Sequence, residues 1–338
     1  MIAKNLKNVL LKAIVNRRRI LLVGKPGMGK TAILKWARSE ASKILGLDVD
    51  MTTLYVSVSD PTDFKGFYCI IDCKPQIMPF GDLEKIYNAD RLHIVFLDDF
   101  GQGATATQAA SMSFLDRVKD NPNVVVLAAT NSRADRAGVS GLLEPVKSRF
   151  DSIIEMEFDM DSWVDWALTA DVPIELIAFN KFRPQLMYSM KPCADLVNGP
   201  CPRTVEALGN LMKDGHNPAD EYEVYKGAVG EAYTAELMGF LPIWRKLPNI
   251  DSILLDPMNV PLPQISDKYG PSILFAITSA LARKAEVIAN FDRICEFSTR
   301  LPVEFSVCLI VDSVKQNRDV QNTKAYIQWQ SRNKSVLI

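Results

Sequence analysis

The octapeptide GKPGMGKT, Gly24 to Thr31, constrains this chain more than any other feature. It follows the pattern G-x-x-x-x-G-K-[ST] and lies between the apolar run ILLV, Ile20 to Val23, and a stretch in which Ile33, Leu34, Trp36 and Ala37 recur at helical spacing. Four apolar residues in a row suit a strand buried on both faces. The chain is therefore expected to arrive as a strand, turn through glycines and leave as a helix whose first turn faces that loop. Glycine lets backbone N–H groups close around an anion with no Cβ in the way, and the helix N-terminus adds a positive dipole end. The candidate nucleotide-binding set is Gly24, Pro26, Gly27, Met28, Gly29, Lys30, Thr31 and Ala32. Lys30 is the residue to reach the β and γ phosphates of ATP and Thr31 the hydroxyl to ligate Mg2+.

A phosphate loop of this type needs a second strand that delivers a carboxylate to the metal. VFLDDFGQG supplies it: His93 to Leu97 reads as the strand and ends on Asp98 and Asp99. Asp98 is the expected metal-side acid, and Asp99 the acid that polarises the attacking water. A third apolar run, VVVLAAT, closes on Asn131, an amide able to hydrogen-bond that water or the γ phosphate.

On these residues the sequence resembles the AAA+ ATPases, and within them the MoxR-like group, including forms associated with phages and prophages. GKPGMGKT is similar to the family's Walker A, VFLDD to its Walker B, and VVVLAATN to the strand carrying sensor 1, here Asn131. FGQGATATQAASMSFLDR resembles the MoxR segment in which an alanine-rich helix follows the acids. RAGVSGLLEPVKSRFD resembles the stretch ending in the arginine finger, a role the resemblance gives to Arg149, with Arg133 and Arg136 as competitors. GPCPRTVEAL resembles the sensor 2 motif of the lid and implies Arg203. One position departs from the pattern: the family's second Walker B acid is glutamate, and Asp99 is shorter by one bond of about 1.5 Å. Because a misplacement near 1 Å can cost about 10²-fold, hydrolysis is expected to be slow.

The fold class that follows is α/β, a P-loop NTPase parallel sheet sandwiched by helices, followed by an all-α lid and a helical C-terminal region. Strand signals at ILLV, TLYVSV, HIVFL, VVVLAA and SIIEMEF place the nucleotide-binding domain at residues 1–158. The lid is expected over 159–248 and a helical extension over 249–338, interrupted by a loop LPNIDSILLDPMNVPLPQ. Strand-like pieces around Asp72 to Pro75 suggest an inserted hairpin, and MoxR-like proteins resemble this chain in carrying such an insert. The preceding SDPTDFKGF is either a substrate contact or a buried sheet edge. Trp163 and Trp166 read as helix core, and Arg17 to Arg19 as a solvated face or, alternatively, a contact to a neighbouring subunit or the nucleotide.

With 39 basic against 40 acidic residues, no broad field for polyanions is present, which disfavours an obligate nucleic-acid partner. Six cysteines without a CxxC pair and only two histidines make a poor zinc cage and point to reduced thiols. Neither a signal peptide nor a membrane span is legible, so a cytoplasmic location is expected. The family resemblance implies a homo-oligomeric, hexameric ring that hydrolyses Mg-ATP to remodel or activate a protein substrate, with a von Willebrand factor A domain protein as a candidate partner. A DNA-associated motor or loader, and a nucleotide-gated scaffold with little hydrolysis, are the alternatives.

Overall fold

The computed structural model describes residues 1–132, 141–188, 196–245, 250–262 and 270–333. It divides into two compact units, Met1–Ser162 and Trp163–Ile338.

The first unit is built on five parallel strands, with β1 (Ile20–Val23), β2 (Asp50–Tyr55), β5 (His93–Asp98), β6 (Val124–Thr130) and β7 (Ser152–Glu155) in the order β2-β5-β6-β1-β7. The central strands β5 and β6 are buried throughout, as continuous apolar runs require when both faces are covered. Edge strand β2 is only half-buried, which is why it tolerates the polar residues of DMTTLY. It begins at Asp50, paired with His93, and not at Thr53 as TLYVSV suggests. Val56 leaves the strand to enter the core, while Val58 is 83% exposed.

Helices α1 (Ala3–Val15), α2 (Lys30–Leu45), α3 (Thr62–Lys65), α4 (Asp82–Tyr87), α5 (Thr105–Val118) and α6 (Glu144–Lys147) complete this unit. Leu6, Leu10, Ala13 and Ile14 form the buried stripe of α1, which packs on α2. Phe114, Leu115 and Val118 of α5 join Leu21, Val95, Leu97 and Val126 of the sheet in one core. The alternate residues Leu22, Ile94, Phe96 and Val125 are equally buried, so helices cover both faces. This is the P-loop NTPase sandwich that the motifs imply.

The insert is a hairpin of β3 (Phe67–Ile71) and β4 (Lys74–Met78), joined by Asp72 and Cys73 at positive φ, the two-residue turn whose twist suits a hairpin. Gly66 is required at its base, since a Cβ there would lie 2.3 Å from the Met78 carbonyl oxygen. Tyr68 and Ile70 are 79% and 81% exposed. SDPTDFKGF is divided between two environments: Phe64 is buried against Phe114, whereas Phe67 opens the exposed hairpin.

The second unit is helical: α7 (Met160–Thr169, which starts just before it), α8 (Ile174–Phe182), α9 (Pro202–Asp214), α10 (Pro218–Val229), α11 (Glu231–Arg245), α12 (Ile250–Leu255), α13 (Gly270–Lys284), α14 (Phe291–Ser298), α15 (Val303–Gln316) and α16 (Lys324–Arg332). Helix α12 corrects the loop expected there, because Ile253 is buried in the core formed by α13, α14 and α15. Trp163 is buried, in keeping with a core role. Lys181 bridges α8 to α15 through Asp312 and the Cys308 thiol. Burial opposes the Lys181 ammonium, but these two neighbours outweigh it and hold its pKa above the ordinary lysine value.

Candidate functional site

The loop after β1 is anchored at its first residue. Gly24 donates its N–H to the carbonyl of Thr130, 3.2 Å away at the end of β6. Gly27 and Gly29 then turn the chain at φ 74° and 91°, left-handed backbone that an L side chain rarely adopts. Nothing lies within 4 Å of where a Gly29 Cβ would sit, so the backbone angle demands glycine there, not a shortage of space. Helix α2 starts at the next residue, with Gly29 as its N-cap. Of the remaining loop residues, Met28 is buried, Pro26 half-buried and Ala32 exposed.

Lys30 is the hub. It is 7% exposed, and its Nζ donates to the carbonyls of Gly24 (2.7 Å) and Lys25 (3.0 Å) and to Oδ1 of Asn131 (2.8 Å). The ammonium is thereby curled over the loop, satisfied by groups that phosphate oxygens can replace. Asn131 is itself 7% exposed, and its amide oxygen ties the residue after β6 to the start of α2.

Thr31 donates its hydroxyl to Oδ2 of Asp98 at 3.0 Å, and the other oxygen of Asp98 accepts from the Asp99 N–H at 3.0 Å. A hydroxyl and a carboxylate side by side are hard oxygen donors of the kind Mg2+ takes, so the pair fits that ion. Among the described residues no cluster of three or more His, Cys, Asp and Glu offers another metal site. Asp99 sits at φ 51°, ψ 38°, a left-handed conformation more accessible to aspartate than to most residues. The shortened second acid thus coincides with a backbone that suits it.

Two links here have no sequence signal. Thr130 Oγ1 accepts from the Gly101 N–H (3.1 Å), tying β6 to the turn after the acids. Buried Gln108 donates to the carbonyls of Gly103 and Gly141 (both 3.0 Å) and accepts from Leu143 N–H (3.1 Å), tying that turn to the segment leading to Arg149.

Lys30, Thr31, Asp98, Asp99 and Asn131 all follow the C-terminal ends of β1, β5 and β6. Arg149 does not join them. It precedes β7, whose Ser152 is in register with Ile20 at the start of β1. It therefore lies at the N-terminal edge of the sheet, which β1 sets about 13 Å from Gly24 at about 3.3 Å per residue. There it forms a bidentate pair with Asp116, Nε to Oδ1 at 2.9 Å and Nη2 to Oδ2 at 2.7 Å. The basic run is tied down at the same edge: Arg19 donates to the Leu115 carbonyl and Arg17 to the Pro122 carbonyl, so the solvated face expected there is partly engaged. Burial depresses the Arg19 pKa. Arg203 lies exposed in the first turn of α9, in the second unit. Arg133 and Arg136 lie outside the described residues.

Residues 20–158 match the AAA family, described as the ATPase family associated with various cellular activities. No curated protein is significantly similar in sequence to the chain. Among solved structures, the chain is similar to a single-residue variant of RuvB from Thermotoga maritima at 18% identity, over 85% of this chain and 83% of that one, with a TM-score of 0.41. An Aeropyrum pernix ORC1 protein in complex with DNA is 13% identical over 88% and 82%, with a TM-score of 0.40. C. elegans PCH-2 is 13% identical over 71% and 68%, with a TM-score of 0.36. No helix among the described residues is long and apolar enough to cross a membrane.

Proposed function

We propose that this chain is an AAA+ ATPase of the MoxR-like type, working as a hexameric ring that binds and hydrolyses Mg-ATP to remodel or activate a partner protein. The observation that carries the reading is the separation of the two halves of the chemistry. Lys30, Thr31, Asp98 and Asn131 converge at one end of the sheet, while Arg149 is held at the other.

On ATP binding, Lys30 exchanges its loop carbonyls for β and γ phosphate oxygens, at little cost because it is already desolvated. Thr31 and Asp98 would hold Mg2+, whose charge offsets that of the triphosphate. Asn131 orients the attacking water and Asp99 takes its proton. Arg149, out of reach of its own loop, acts on the γ phosphate bound by a neighbouring subunit, where such a group is worth roughly 10³ to 10⁵ in rate. Arg203 acts from a lid that extends to residue 248, and residues 249–338 form an extension that supports assembly. The exposed hairpin residues Tyr68 and Ile70 contact the protein substrate or a von Willebrand factor A domain partner.

The test is turnover per subunit against protein concentration, with mass measured on the same samples. A rate that rises as rings form supports the reading; a rate independent of assembly removes it. A second reading, a nucleotide-gated scaffold, is favoured by Asp99, whose short side chain on a left-handed backbone is a weak base position. Rings that form with negligible phosphate release would select it.

A further inference from the structure

Asp116 lies in the last turn of α5, where a carboxylate opposes the helix macrodipole and draws no local benefit. Its neighbours Phe114 and Leu115 are fully buried, so its backbone is fixed to the core. Arg149 is fixed in the same way by Phe150, whose ring packs edge-on against Phe100.

The guanidinium between these anchors is used selectively. Nε and Nη2 donate side-on to the two oxygens of Asp116, and Nη1 donates to the Pro145 carbonyl at 2.6 Å. An arginine has five N–H donors in a rigid fork, and these contacts engage three. The two that remain sit one on each Nη nitrogen, and two Nη donors are what the oxygens of a phosphate take end-on. Arg19 adds a second positive charge near Asp116, and the Arg149 hydrogen bonds keep the Asp116 carboxyl ionised well below the usual carboxylate range.

We propose that Asp116 is the positioning residue for Arg149: it grips the side-on edge of the guanidinium so that the end-on edge faces outward as a fixed two-donor fork for the γ phosphate of a neighbouring subunit. This rests on the trans role of Arg149 given above. Without Asp116 the long side chain still reaches the neighbour, but the fork is no longer preset.

The experiment measures kcat, KM and ADP affinity for Asp116→Ala and Asp116→Asn, each alone and in an Arg149→Ala background, on assemblies of confirmed mass. The asparagine keeps the side-chain shape and guards against loss of fold. Expected for each single variant is a kcat lower by about tenfold to about 10²-fold, as a misplacement near 1 Å produces, with KM and ADP affinity within about twofold of the parent. In the Arg149→Ala background the same substitutions should change nothing further, because the two residues act as one unit. A Lys30→Ala, Asp116→Ala chain mixed into the parent protein should suppress turnover more than a Lys30→Ala chain does. An unchanged kcat, a raised kcat, or a full additional loss in the Arg149→Ala background would overturn the proposal. If Arg149→Ala alone leaves turnover intact, it is the trans role that fails.

Discussion

At the C-terminal ends of β1, β5 and β6 the charged and polar side chains are enclosed: Lys30, Asp98 and Asn131 are 7%, 9% and 7% exposed, and each is bonded to another part of the same pocket. At the N-terminal ends the Arg149–Asp116 pair is nearer to solvent, its side chains 26% and 58% exposed. The first arrangement makes a low-dielectric pocket in which each charge acts strongly on what enters. The second leaves its carboxylate open to solvent and its guanidinium partly so. One sheet thus carries an enclosed polar cluster at one end and a more exposed ion pair at the other.

The largest effect expected is at the enclosed end. Lys30→Ala removes the cation on which the loop converges and should weaken ATP binding by at least about 10²-fold, as read by calorimetric titration; undiminished affinity would erase the distinction between the two ends. Arg149→Ala should leave that affinity unchanged and lower kcat about 10³-fold, so that one end governs binding and the other turnover. Equal losses of affinity in both variants would break the comparison.

Asp99→Glu tests whether the enclosed end is tuned by reach or by backbone. The longer acid gains about 1.5 Å, but glutamate suits the left-handed position less well than aspartate. A rise in kcat of a few-fold, on the order of threefold, is expected, and a fall would mean that the backbone dominates.

The smallest effect concerns His93, which starts β5 at the exposed end of the sheet and hydrogen-bonds Thr52 at 2.8 Å. Burial pulls its pKa below 6.5, with Asp50 opposing. The unfolded chain therefore takes up this proton first as pH falls. Stability from neutral His93 is complete above about pH 6.5 and is lost as pH drops towards the folded value. Melting temperatures of the parent and of His93→Gln, followed from pH 8 to pH 5, should converge below pH 6.5.

Most of the enclosed end is legible in the sequence because local chemistry determines it. A glycine loop between an apolar strand and a helix has few other conformations, and apolar runs ending in Asp98 and Asn131 mark where parallel strands stop. The exposed end is less legible. Arg149 and Asp116 are 33 residues apart, on a loop and a helix, and no periodicity links them. The same holds for Gln108, which joins the nearby Gly103 carbonyl to the distant backbone of Gly141 and Leu143. The left-handed angle at Asp99 is invisible until the turn is built, although aspartate in place of glutamate is its trace. Strand β2 was displaced from TLYVSV because an edge strand does not need an apolar sequence, only a partner in register.

The strand order also bears on how the chain is made. β1 precedes both of its partners in the chain, and Ile20 pairs with Leu127 on one side and Ser152 on the other. At about 5 to 20 residues per second, roughly 5 to 20 s pass before even the first of those partners leaves the ribosome. Throughout that interval an apolar strand bearing a glycine loop waits without a sheet to join. The nascent chain is then most exposed to mispairing, and the phosphate loop is translated well before the strands that complete its surroundings.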